Sequence, residues 1–166
     1  MSGWFGPSVH MRVRIGDIIE IRTSRGLAYA IYTHCQAAPP KYGAMLRVFE
    51  GFYKSRPQDL PALSVRPIQF TTFFPLQAAV SRRLVDAIGN VSVPEPLKPF
   101  PLFRCGASMD STTQKVKTWW LWDGTSEWRV AALSADQRKL PIRGIWNYAY
   151  LVSRIEQGWR PETDPR

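Results

Sequence analysis

Three stretches near the amino-terminal end alternate apolar and polar side chains at the two-residue period of a half-buried strand. The first is Arg12 to Ile21, in which Gly16 allows a bend or bulge. Turn chemistry at Thr23-Ser24-Arg25-Gly26 separates it from Leu27 to Thr33, where Leu27, Tyr29 and Ile31 share one face and the small Ala28 and Ala30 the other. After the Pro39-Pro40 loop, Gly43 to Phe49 places Ala44, Leu46 and Val48 on one face. The spacing predicts an antiparallel meander or a small SH3-like barrel.

The pattern then breaks. Lys54 to Pro67 carries three prolines and reads as a loop with one turn of helix at Gln58 to Leu60. Ile68 to Phe74 is rich in Thr and Phe and predicts a strand, Leu76 to Arg83 a brief helix opened by Pro75, and Leu84 to Ile88 a strand stopped by Gly89-Asn90. Pro94, Pro96, Pro99 and Pro101 mark an extended connector, with Phe100, Leu102 and Phe103 available to pack on the body. Val116 to Ala132 predicts a hairpin around Asp123-Gly124-Thr125-Ser126. An even loop puts Trp119 and Leu121 on the face of Trp128 and Val130, and Trp120 and Trp122 on the face of Glu127 and Arg129, and an odd loop or a bulge swaps the faces. Ser134 and Gln137 have capping-box spacing, and Asn147 to Gln157 predicts a closing helix capped by Asn147 and stopped by Gly158 and Pro161. The expected fold is mostly β with some helix (α+β), one domain over residues 1–166. Residues 1–11 are read as a flexible terminus, 12–106 as a β core, and 107–166 as a Trp hairpin and carboxyl-terminal helix packed on it.

Composition fits that picture. A chain of 166 residues with 45% hydrophobic and 21% charged side chains can bury a core without metals or disulfide staples. Seven tryptophans favour sheets and contact surfaces. No stretch has the pattern of a signal peptide or a membrane span, so the expected location is cytoplasmic and no membrane partner is expected. Cys35 and Cys105 are read as free thiols, Cys105 buried, and their spacing matches no disulfide framework or zinc motif. The net charge of +9 attracts phosphates or an acidic protein, but the arginines are scattered and form no basic tail.

Candidate chemistry is sparse. His10 and His34 are the only imidazoles, and His34-Cys35 point to opposite faces of a strand. Asp17, Glu20 and Asp59 read as caps or solvated charges near turns rather than acid–base partners. Glycine-rich phosphate loops are absent. The expectation is a non-enzymatic chain with no catalytic residues, no metal site and no cofactor. One candidate site is the Trp hairpin: Trp120 and Trp122 beside Arg129 make a platform with a cation if exposed, and a core layer if another layer covers them. The other is Arg12 and Arg14, a pair able to bind an anion, or simply the wet face of a sheet.

Gly16-Asp17-Ile18-Ile19-Glu20-Ile21, Arg47-Val48-Phe49-Glu50-Gly51-Phe52-Tyr53, Ile88-Gly89-Asn90 and Pro101-Leu102-Phe103-Arg104 occur in an order that resembles the immunity protein 26 family of bacterial polymorphic-toxin systems. The likeness spans roughly Arg12 to Gly106. It implies a mostly β domain that protects its producer by binding a cognate toxin, without enzymatic activity and with no catalytic residues to carry over. A basic inhibitor suits an acidic toxin domain better than a cationic nuclease. The alternative is a nucleic-acid-binding module in which scattered Arg side chains hold phosphates and exposed Trp faces stack on bases. A Trp platform also suits a homodimer, and the sequence does not fix the oligomeric state.

Overall fold

The computed structural model describes residues 11–166. Of the terminus expected to be flexible, residues 1–10 lie outside the described residues, His10 among them. The first strand, β1, spans Asp17–Thr23 rather than starting at Arg12. Gly16, at φ +92°, turns the chain, and a Cβ there would fall 2.2 Å from the Val91 carbonyl oxygen. The Arg14 N–H donates to the Asp17 carboxylate (2.8 Å) and closes that turn.

β2 (Gly26–Gln36), β3 (Gly43–Phe49) and β4 (Ile68–Phe74) continue from β1 as an antiparallel meander, and β5 (Asp86–Asn90) pairs with the other side of β1. The sheet order is β4-β3-β2-β1-β5. Among the described residues no ladder joins β4 to β5, so the meander is open and not closed into a barrel. Alternation sorts the side chains as expected. Ile19, Ile21, Ala28, Ala30, Leu46 and Val48 fill one buried cluster, and Ile18, Tyr29, Ile31 and Phe49 another. Both faces are covered, which is why neighbouring Ile18 and Ile19 are equally inaccessible.

Helix α1 occupies Leu60–Ser64, later than Gln58 to Leu60, because the Asp59 side chain accepts the Ala62 N–H (3.0 Å) and makes Asp59 the cap. Helix α2 spans Leu76–Ser81 and ends before Arg83, which sits at φ 57°. The Leu84 N–H still bonds back to Ala79, so β5 starts two residues after Leu84. The proline-rich connector holds one 3₁₀ turn, Glu95–Leu97, and delivers a fully buried Phe103.

A second sheet has the order β6-β7-β8, from β6 (Phe103–Met109), β7 (Val116–Trp122) and β8 (Glu127–Val130). The β7–β8 turn is pinned by Asp123 Oδ1, which accepts the N–H groups of Thr125 (2.9 Å) and Ser126 (2.7 Å). The segment 141–146 joins the sheets. Arg104 N–H donates to Pro141, Arg143 N–H to Arg104, and Trp146 N–H to Phe73, all at 2.9–3.0 Å. Ser134 and Gln137 exchange the two bonds of a capping box, although only a 3₁₀ turn, Gln137–Lys139, follows. Helix α3 is Tyr148–Glu156, capped by Asn147, whose side chain accepts the Tyr150 N–H. Its Leu151 and Ile155 pack on the Ala28 and Ala30 face of the first sheet, where small residues leave room for it. Among the described residues no helix is long and apolar enough to cross a membrane.

Arg104 is the odd member of this interior. Its side chain is completely inaccessible, yet Nη2 bonds only the Pro161 carbonyl (2.5 Å), the guanidinium lies 4.8 Å from the Trp119 ring, and Nε and Nη1 have no partner. Burial pushes its pKa down to about 10. Orphaned buried donors cost about 1–3 kcal/mol each, more than one carbonyl bond and one cation–π contact return. Arg104→Met is therefore expected to raise stability by about 1–2 kcal/mol. A lower urea midpoint for that variant would show that the guanidinium is better satisfied than its contacts indicate.

Candidate partner-binding face

The β7–β8 register sets Trp120 opposite Arg129 and Trp122 opposite Glu127, with Trp119 opposite Val130 and Leu121 opposite Trp128 on the reverse face. These are the faces an even loop dictates. Exposure follows a different logic. Trp122 is only 2% accessible and belongs to a cluster with Met45, Phe73, Phe103 and Cys105, so it is core and not half of an open platform. The Met45 and Phe73 face of the first sheet needs a cover, and the second sheet supplies it with Phe103 and Trp122. Trp120 is half-buried at the rim of that cluster, and Arg129 is exposed. The cation against Trp122 is Arg143, 5.3 Å from its ring and bonded to Glu127 (3.0 Å). The exposed tryptophan of the hairpin is Trp128, on the opposite face.

Arg12 and Arg14 part company. Arg12 lines an open groove of about 550 Å³ together with Tyr32, Cys35, Tyr42 and Ile145, whereas Arg14 is exposed outside that lining. Burial, with the neighbouring Cys35 thiol adding to it, pushes the Tyr32 phenol up to about 12, so it stays a neutral hydroxyl in the groove wall. Tyr42 links the groove to the hairpin. Its ring stacks on Phe73 (5.0 Å), lies 5.3 Å from Trp122, and takes Arg143 at 5.9 Å. A path of Arg12, Tyr42, Arg143, Trp120 and Arg129 therefore runs across one side of the molecule. Ile145, half exposed, stands in the groove wall.

Charge is distributed unevenly around this path. Eight of the thirteen carboxylates sit in ion pairs within the chain, Glu127 with Arg143 among them. Asp17, Asp59 and Asp123 accept backbone N–H groups, and Glu156 accepts from Ser24. Glu20, 5% exposed, is neither a cap nor a solvated charge and is the exception to that expectation. It takes both Arg56 and the Tyr29 hydroxyl, and Arg56 holds its carboxyl below the usual range. Nearly every acidic group is thus engaged internally. Arg12 and Arg129 have no carboxylate within ion-pair distance among the described residues.

The imidazole and thiols are separately housed. His34 Nε2 is 2.8 Å from the Lys98 carbonyl, which can only accept, so Nε2 carries the proton and Nδ1 accepts from the Thr33 hydroxyl (2.9 Å). Thr33 in turn accepts from Nε of the buried Arg47 (3.3 Å). Burial, and the Arg47 charge against it, lower the His34 pKa and keep the ring neutral. Burial pushes the Cys105 thiol up to about 11, far from thiolate reactivity at neutral pH, and both cysteines are free.

Tyr42 and Arg143 were not singled out by the alternation of apolar residues, because both lie in loops. Their only sequence signals are an aromatic two residues after Pro39-Pro40 and an arginine in the short run from Pro141 to Gly144. Comparison with protein-family models, curated proteins and solved structures finds no match to this chain.

Proposed function

We propose that this chain is a non-enzymatic, immunity-type binding protein that acts in the cytoplasm and neutralises an acidic protein partner by surface contact. The contact runs from Arg12 in the groove, over Tyr42, to Trp120 and Arg129. One observation carries the reading: two arginines without internal carboxylate partners flank a strip of Tyr and Trp in a chain whose acidic groups are otherwise engaged. Arginine and aromatic side chains backed by a rigid core make effective contact points, and an excess of one charge steers the oppositely charged partner. Arg14 stands outside this contact, and Trp122 contributes by holding Trp120 and Tyr42 in place.

The test is co-expression with the product of the adjacent gene. Rescue of growth by this chain is expected, together with a purified complex that the Arg12→Glu, Arg129→Glu double variant weakens by about 100-fold. A neighbour that is harmless to its host, or a complex indifferent to both reversals, would count against the proposal. The competing nucleic-acid reading needs exposed stacking faces, and burial of Trp122 removes one of them. Anisotropy with single-stranded DNA and RNA at low salt separates the two: tight binding that falls steeply with salt belongs to the competitor.

A further inference from the structure

We infer that the partner is held in part by strand addition: an extended, acidic segment pairs with the open edge of β8. The inference rests on the acidic-partner reading and specifies how one part of that contact is made.

The backbone sets the geometry. The Asp123 N–H donates to the Ser126 carbonyl (3.1 Å), so Asp123 and Ser126 face each other as a bonded pair. In an antiparallel ladder bonded and non-bonded pairs alternate. Trp122 and Glu127 are then non-bonded, Leu121 and Trp128 bonded, and Trp120 and Arg129 non-bonded. The N–H and C=O groups of Glu127 and Arg129 consequently point away from β7, toward the side where the sheet order ends. Glu127, Trp128 and Arg129 are all exposed, and β8 contains no proline, so a row of free donors and acceptors lies open at this edge.

The side chains select the occupant. Arg129, on the Trp120 face, lacks a carboxylate, and the carboxylate beside it, Glu127, is already bonded to Arg143. An incoming strand that alternates acidic and apolar residues would set a carboxylate against Arg129 and an apolar side chain against Trp128, which is 41% exposed on the reverse face. A second copy of this chain is the obvious rival, since an edge can pair with itself. Each copy carries +9, however, and a four-residue strand offers few bonds to offset that repulsion. An acidic segment meets no such opposition.

The probe is a short capped peptide of alternating glutamate and valine, with an alternating lysine and valine peptide as control, titrated into the full chain. Slowed amide exchange at Glu127 and Arg129 is expected with the acidic peptide alone. Arg129→Pro removes an outward N–H together with the guanidinium, so it should weaken binding by about tenfold more than Arg129→Gln, which removes the charge alone, the difference being the weight of one hydrogen bond. Peptide N-methylated at the paired positions should lose binding to the unaltered protein, which keeps the test independent of how that variant folds. Binding that shifts Arg12 and Tyr42 but leaves the β8 amides unchanged overturns strand addition and leaves the acidic-partner reading standing. No preference for the acidic peptide also overturns strand addition, while growth rescue decides the partner reading separately. Slowing that appears without peptide and grows with protein concentration assigns the edge to a second copy and overturns the inference.

Discussion

Phe73→Ala should be the most damaging single core truncation on the seam between the two sheets, with a loss of about 3–5 kcal/mol, the range for deleting a buried ring. Phe73 is fully inaccessible and touches every layer that meets there. Its ring stacks on Phe103 at 5.1 Å and on Tyr42 at 5.0 Å and lies 6.1 Å from Trp122, while its carbonyl accepts the Trp146 N–H. None of those neighbours can fill the gap without leaving its own contacts, so the cavity term adds to the lost burial. A domain of this size has a net stability of about 5–15 kcal/mol, and the variant would spend a large part of it. Urea denaturation followed by Trp fluorescence measures the loss. Phe73→Leu keeps most of the volume and should cost about 1.5 kcal/mol or less. A loss below 1 kcal/mol for the alanine variant would mean that the sheets are held together elsewhere. Because Phe73 also backs Tyr42, the same variant should weaken partner binding without altering any side chain the partner touches.

The elements on which Phe73 acts were unequally legible. β3 and β4 could be bounded from sequence because each is fenced by punctuating residues, Pro39-Pro40 and Gly43 for one, Pro67 and Pro75 for the other, with apolar residues dense between. α3 was legible for the same reason, with Asn147 at one end and Gly158 at the other. β6 was not. Its run Gly106-Ala107-Ser108 has no alternation to display, and it is a strand because β7 supplies the partner, a non-local fact that a local pattern cannot hold. Loop parity divided the hairpin residues correctly between two faces, but parity says nothing about which face is covered. Trp122 is buried because Met45 and Phe73 lie across from it, and those residues are far away in the chain. The same holds for Arg12 and Arg14: adjacent on a strand pattern, they separate because the turn at Gly16 ends the strand before it reaches them. Candidate residues were therefore readable as types, and their assembly was settled by tertiary packing.

Glu20→Ala should lower stability by about 1–3 kcal/mol, a cost carried by the Tyr29 hydroxyl. That hydroxyl is buried with its ring and donates to Glu20 Oε2 (2.8 Å), and alanine would leave it without an acceptor. Arg56, the other partner, is largely exposed and can turn to water, so its loss of contact adds little. Glu20→Gln separates the two roles, since an amide oxygen still accepts from Tyr29 while the charge is gone. The glutamine variant should retain most of the stability at neutral pH but respond differently to acid. Glu20 is held below its ordinary value of 4.5 in the folded chain, first by the Arg56 bond and against the opposing effect of burial. Protons therefore bind the unfolded chain more readily than the folded one, so the stabilisation is complete above about pH 4.5 and is lost as pH falls through the folded value. Asp164, for which burial alone would raise the pKa, is instead held at about 2 by the Arg166 guanidinium and backbone N–H, and it adds to the same acid limb. Urea midpoints measured from pH 7 down to pH 3 should fall for the native chain and fall less steeply for Glu20→Gln. Parallel curves for the two proteins would place the acid sensitivity outside the Glu20 site, and would reduce the Glu20–Arg56 pair at the edge of the buried cluster to a surface contact.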